Sequence, residues 1–231
     1  MIVKPIKTRI FREGDDLFAV ITDYLKKVPE RAVIVVTSKI VALSERRTAM
    51  AENKEKLIRK ESEFAIATKH TWLTIKDGMV MASAGIDESN ADGKLILLPK
   101  DSFKTARLLR KNIGKTYHIR HLGVLITDSR TMPLRAGITG VALGYAGFCG
   151  IRDYRGMPDI FGRKMKISRT DVADSLASAA VLAMGEGNEQ QPLALIEKAP
   201  IEFSDRINRN ELHIDIKDDM YQPLFVKLPK I

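Results

Sequence analysis

Residues that would mark the chain as secreted, membrane-spanning or zinc-bound are scarce. The 231 residues include one cysteine, Cys149, so no internal disulfide can form. Cys149 sits in the glycine-rich apolar run 146–150 with no histidine near it in sequence, which predicts a buried structural thiol rather than a nucleophile. No apolar run approaches the roughly 20 residues that cross a bilayer. The opening MIVKPIKTRIFREGDD has neither an apolar h-region nor a cleavage site, and a reducing cytoplasm is the expected compartment. The histidines, His70, His118, His121 and His213, are scattered without zinc-ligand spacing. No glycine-rich phosphate loop opens a helix after a strand, and no Walker-type glycine–lysine loop occurs. A nucleotide, if bound, has to be held in another way.

What is present is an ordinary globular composition, 45% hydrophobic and 29% charged, with a net charge of +9. The length suits one domain, or two interleaved lobes. The positive field favours anionic partners. Residues 100–120 hold seven basic side chains and one acid, so a basic nucleic-acid-binding domain is a reading to weigh. Aromatics at 6%, with only Phe103 and Tyr117 inside that segment, offer no stacking pattern for it. Acidic lipid and phosphorylated metabolites are the other polyanions such a field attracts, and the charge alone does not choose among them.

Periodicity places the elements. Asp15 and Asp16 precede helical spacing at Leu17, Val20, Ile21, Tyr24 and Leu25. Residues 32–36 read as a buried strand, and Ser38 as the cap of a helix over 39–45. Residues 53–67 read as a charged helix, and 78–84 as a strand entering the loop 85–90. Asp101 and Ser102 cap a helix that Gly114 is expected to stop. Strands follow at 121–127 and 140–145, an alanine-rich helix starts at Thr170 or Asp171, glycines 185 and 187 end it, and 193–196 is a late strand. Without strict βαβ alternation, the fold class is α+β, with mixed sheets and packed helices.

Three carboxylates share one setting. Asp87, Asp128 and Glu186 each follow an apolar element, and Asp87 and Glu186 have glycine beside or near them. Singly, each is an ordinary turn or surface acid. Together, acids at element ends can meet at one sheet edge, and an all-oxygen set suits Mg²⁺ or Mn²⁺. Arg130, Arg135, Arg152, Arg155 and Arg163 lie near them in sequence. They can hold substrate anions, or pair internally with Asp153 and Asp159.

The motifs Arg12-Glu-Gly-Asp-Asp16, Gly85-Ile-Asp-Glu-Ser-Asn90, Leu97-Leu-Pro99, Ile126-Thr-Asp-Ser129, Gly162-Arg163 and Met184-Gly-Glu-Gly-Asn-Glu189, in this order, resemble the coenzyme F-420-0:γ-glutamyl ligases over most of the chain. The resemblance implies an intertwined homodimer, with GTP and Mg²⁺ or Mn²⁺ joining L-glutamate by its amine to a carboxylate-bearing coenzyme acceptor. By position, Asp87 and Asp128 correspond to ligands of one metal, and Ser129 and Glu186 to ligands of a second. Asp87, Asp128 and Glu186 are thereby the expected catalytic centre. Asn90, the stretch Thr8, Arg9, Ile10 and Phe11, Ser38 and Lys39, and the loop Met184, Gly185, Gly187, Asn188, Glu189, Gln190 and Gln191 fall where the family holds GTP. Two departures stand out. Leu43 occupies the place of a family lysine, and a family Asp-Thr-x-Gly-Arg pattern reads Asp128-Ser-Arg-Thr-Met132 here. The latter is similar to a bacterial branch labelled as folate-metabolism γ-glutamate ligases, which leaves folate as the alternative acceptor. Glu88 and Asp153 are the acids to examine as general base.

Overall fold

The computed structural model describes residues 1–225. In chain order the elements are β1 (Ile2–Ile6), α1 (Leu17–Tyr24), β2 (Ala32–Thr37), α2 (Ser38–Ser44), β3 (Thr48–Met50), α3 (Lys54–Glu61), β4 (Phe64–Ala67), β5 (Trp72–Lys76), β6 (Met79–Ala82) and β7 (Lys94–Ile96). They continue with α4 (Ser102–Tyr117), β8 (Leu122–Thr131), β9 (Ile138–Ala146), β10 (Ile151–Asp153), β11 (Arg169–Asp171), α5 (Val172–Met184), β12 (Leu193–Glu197) and α6 (Gln222–Phe225).

Five strands form the central sheet in the order β1-β12-β2-β8-β9, with β2 and β8 parallel and the other pairs antiparallel. Its central strands are apolar throughout because both faces are covered. Ile34, Val36, Val124, Ile126 and Leu193 point into a core with α1, α2 and α4, while Val33, Val35, Leu125 and Ala194 point into a core with α5. A smaller sheet, β4-β5-β6, packs with α3 and the paired strands β3 and β7, around Ile58, Ala84, Ile86, Leu95 and Leu97. The α+β class is as the sequence implied.

Several expectations need correcting. Helix α3 ends at Glu61, and 64–67 turn out to be strand β4, because Phe64–Ala67 find a cross-strand partner in Trp72–Lys76. Helix α4 runs through Gly114 to Tyr117 and closes at His118 in the left-handed region (φ 55°). Gly114 contributes its carbonyl, which accepts from the backbone N–H of His118 and of Ile119. The strand before Asp87 stops at Ala82, and Ser83 and Ala84 take positive φ in a tight turn. Thr37, not Ser38, occupies the cap position of α2, and the Ser38 hydroxyl is turned elsewhere. Cys149 is half-buried; burial pushes its thiol above the usual range, so it is not an activated nucleophile.

Helix α5 lies close on β9 because Gly140 has no side chain. A Cβ there would sit 2.4 Å from the Ala177 carbonyl oxygen. Gly140 pairs with Ser129 across the β8–β9 ladder, so the same residue sets how near α5 comes to the end of β8. Gly140→Ala is expected to cost about 1–3 kcal/mol of stability, measured by urea denaturation.

Asp171 caps α5 by accepting from the Asp174 N–H. Burial, with the neighbouring Asp174 charge adding to it, pushes the Asp171 carboxyl up to about 6. An unfolded aspartate titrates near pH ~3.9. Between about pH 4 and 6 the native chain therefore holds a proton that the unfolded chain has released, so this contribution to stability falls as pH rises through the window. Asn also caps helices. Asp171→Asn should gain stability over wild type at pH 7, with the gain vanishing below about pH 4 in denaturation curves taken across the range.

Candidate functional site

The C-terminal ends of the parallel pair β2 and β8 carry the site. The face alternation of β8 continues beyond its apolar part, so Asp128 points to the α2 side and Ser129 to the α5 side. Asp128 is thus not in a turn, as the sequence suggested; it lies within β8, opposite Val141. Its Oδ1 accepts from the Ser38 hydroxyl at 3.2 Å, at the first residue of α2. The Ser129 hydroxyl donates to Glu186 Oε2 at 3.2 Å, just past the end of α5.

Asp87 arrives from the β6–β7 connection. Its backbone N–H and carbonyl both bond to Ile96, each at 2.9 Å, which pins it beside β7. Lys39 Nζ lies 2.7 Å from its carboxylate, and Ser89 donates to it through N–H (2.7 Å) and O–H (2.9 Å). Lys39 also donates to the Ser89 carbonyl at 2.7 Å. Asn90 Nδ2 donates to the Gly187 carbonyl at 3.2 Å, tying this loop to the one that bears Glu186. The three acids therefore come together from three separate segments, with Ser38, Lys39, Asn90 and Ser129 among them. Ser89 was not anticipated, although Asp-x-Ser is a known turn signal.

Their charges are unevenly compensated. Burial pushes the Asp128 carboxyl up; Arg130, the Ser129 N–H and the Ser38 hydroxyl act against this, and Asp87 adds to it. Glu186 is also raised, by burial and then by Asp128 and Asp87, against the Ser129 hydroxyl and Lys39. Burial works on Asp87 in the same sense, yet Lys39 and Ser89 outweigh it and hold it below the usual carboxylate range. Lys39 thus acts on Asp87 and Glu186, while Arg130 acts on Asp128.

The glycines close the loops instead of opening space for a ligand. A Cβ on Gly85 (φ 71°) would meet the Leu98 side chain at 2.6 Å, and one on Gly185 (φ 81°) the Glu189 carboxylate at 2.4 Å. That carboxylate accepts from the Gly187 N–H at 2.8 Å. Among the other expected nucleotide positions, Thr8 bonds through its N–H to the Gln190 carbonyl (2.9 Å), which brings 8–11 beside the 184–191 loop. Phe11 and Met184 are core side chains, whereas Ile10 and Asn188 are exposed. Arg9 is committed to Asp15. Gln191 is partly buried, its Oε1 without a partner.

Of the flanking arginines, Arg155 pairs with Asp153 and Arg163 with Asp159, both on the surface, and Arg152 donates to the Pro200 carbonyl. These are internal pairings. Asp153 is held down at about 2 by Arg155, and Glu88 pairs with Lys54 at 3.1 Å, so neither acid is poised as a base.

Among the described residues, no group of three or more His, Cys, Asp or Glu side chains forms a metal cage. The donors are nonetheless all oxygen: Asp87 with Asp128, and Ser129 with Glu186. Mg²⁺ is commonly held by only one or two carboxylates, completed by waters and substrate phosphates. The residues fit a cation of that kind. The Asn90 link tests the loop geometry. Asn90→Ala should cost about 0.5–1.5 kcal/mol and speed amide hydrogen exchange through 85–90 and 185–191.

Comparison with known proteins places these residues in a lineage. Residues 48–198 match the family model described as F420-0:Gamma-glutamyl ligase. A protein named Coenzyme F420:L-glutamate ligase from Methanopyrus kandleri is 32% identical over 213 residues, 83% of each chain. A protein of the same name from Methanococcus maripaludis strain C7 is 42% identical over 130 residues, 56% of this chain and 52% of that protein. Another, from Methanocaldococcus jannaschii, is 38% identical over 135 residues, 58% of this chain and 54% of that protein. The chain spans about half the length of the Methanococcus and Methanocaldococcus relatives it matches. On the family match and the Methanopyrus alignment, this chain belongs to the F420-0:gamma-glutamyl ligase family.

Proposed function

We propose that this chain is a nucleotide- and divalent-metal-dependent ligase that adds L-glutamate, through an amide bond, to a carboxylate of a coenzyme acceptor of the F420-0 type. The observation that carries the reading is the meeting of Asp87, Asp128 and Glu186 with Ser38, Lys39, Asn90 and Ser129 at one sheet end. The names of the relatives support the acceptor and the amino acid.

A carboxylate does not condense with an amine at neutral pH unless it is activated. In the proposed route an acceptor carboxylate oxygen attacks the γ-phosphorus of GTP, giving an acyl phosphate and GDP. The glutamate nitrogen then attacks the acyl carbon, phosphate leaves, and the amine gives up a proton. Most of the rate enhancement comes from positioning and from charge neutralisation. Asp87 with Asp128, and Ser129 with Glu186, would hold Mg²⁺ or Mn²⁺, which would supply positive charge to offset the phosphate oxygens. Lys39 neutralises Asp87 in this structure; released from it, the ammonium is available to a phosphate. The segment 8–11 and the loop 184–191 form the nucleotide wall. Phe11 and Met184 serve it as core supports rather than by direct contact. Leu43 leaves Lys39 as the basic residue of this helix nearest the acids. The exposed Leu134, Ile160, Phe161 and Leu182 offer apolar surface for the homodimer that this reading includes.

Folate as acceptor, with the same chemistry, is the second reading, favoured by the segment 128–132. Purified protein given GTP, Mn²⁺, glutamate and each acceptor in turn should release GDP and extend one acceptor by a glutamyl unit in the mass spectrum. Asp128→Ala should reduce turnover by at least about 100-fold while leaving circular dichroism unchanged. Full turnover in that variant would remove the metal assignment.

A further inference from the structure

Arg130 stands apart from the other arginines. It is 7% exposed, yet its Nε and Nη2 have no hydrogen-bond partner among the described residues. Its Nη1 reaches the Val80 carbonyl at 3.4 Å, at the outer limit of a hydrogen bond. Asp128, Asp174 and Asp77 act on it through their fields, but none bonds to it. Other part-buried guanidiniums are satisfied: Arg47 by the Leu98 carbonyl and Glu61, Arg110 by the Leu122 carbonyl and Asp205. A guanidinium keeps its charge in a protein, so an unpaired buried one costs stability.

The unpaired atoms define what would fit. Nε and Nη2 form the side-on edge of the guanidinium, whose two parallel N–H groups match two oxygens of one carboxylate. Arg130 lies two residues beyond Asp128 on the same face of β8. Ser38 and Lys39, on the β2 side of Asp128, are the residues proposed to face nucleotide. Arg130 Nη1 turns toward β6, an edge strand of the small sheet, and the Nε/Nη2 edge faces away from that contact.

We infer that Arg130 binds the carboxylate of a non-nucleotide substrate, beside the acidic cluster. Which carboxylate it takes, that of L-glutamate or of the acceptor, rests on the ligase reading above.

The test is calorimetric titration of wild type, Arg130→Met and Arg130→Lys with L-glutamate, with an F420-0-type acceptor and with GDP. Wild type should bind one of the two carboxylate compounds. Arg130→Met should weaken that binding by about 10-fold or more, Arg130→Lys should weaken it less, and GDP binding should stay within about twofold. The Tm of Arg130→Met should match or exceed that of wild type, because an unpaired buried cation has been removed. A structural strap between β8 and β6 would instead lose Tm and keep its binding, and that result overturns the inference. So does unchanged binding in a folded variant, which would mean that water fills the fork, or weakening of GDP alone. Absence of carboxylate binding in wild type overturns it too. If Arg130→Met fails to fold, Arg130→Lys carries the comparison. Wild type that binds the carboxylate but does not turn over would sink the ligase reading and leave this site standing.

Discussion

The site depends on strand β8 continuing as a strand after its apolar residues end. Up to Ile126 the alternation of β8 divides side chains between two cores. Beyond it the same alternation delivers polar groups to the two faces of one sheet end, Asp128 toward α2 and Ser129 toward α5. Pairing with β9, with a register shift between Ile126 and Thr127, keeps the strand extended there. Each face then needs its own partner. Ser38 comes from the end of the parallel neighbour β2, and Glu186 from the end of a helix that Gly140 allows to lie close. A ligand crevice outside the carboxyl ends of parallel strands is a general feature of open α/β sheets.

Electrostatics here run against stability. Asp128 is raised by burial and by Asp87, Glu186 by burial and by Asp128 and Asp87, while Lys39 serves Asp87. Arg130 sits close by without a bonded anion. A chain selected for stability alone would pair these groups or replace them. Raised acids and an unpaired guanidinium at one sheet end suit a site completed by a cation and by an anionic substrate. The surface ion pairs of the 152–163 segment show the alternative, in which arginines and aspartates satisfy one another locally.

Much of this was legible in the sequence where one physical signal dominated. The apolar runs at 32–36 and 122–126 could only be buried strands, and the alanine spacing of 173–180 could only be a closely packed helix. Residues 64–67 misled because the helical periodicity of 54–61 leads into them, and only a distant partner, 72–76, makes them a strand. Gly114 reads as a stop signal, but its use is as the acceptor for the N–H of the cap residue His118, four residues on. Asp87, Asp128 and Glu186 could be named from their settings, whereas their convergence could not, since it is set by sheet order. Ser89 sits in a local Asp-x-Ser turn that the sequence does offer, whereas the burial of Arg130 depends on contacts between segments far apart in the chain, which no local pattern reports.

The central claim is that the acidic cluster binds a divalent cation together with a nucleotide. Thermal melting with GDP alone, Mn²⁺ alone and both together tests it most directly, because a ligand that binds only the native state raises Tm with the logarithm of one plus the ratio of its concentration to Kd. The account predicts that the two together raise Tm by more than the sum of their separate shifts. A GDP shift that is the same with and without Mn²⁺ would contradict it.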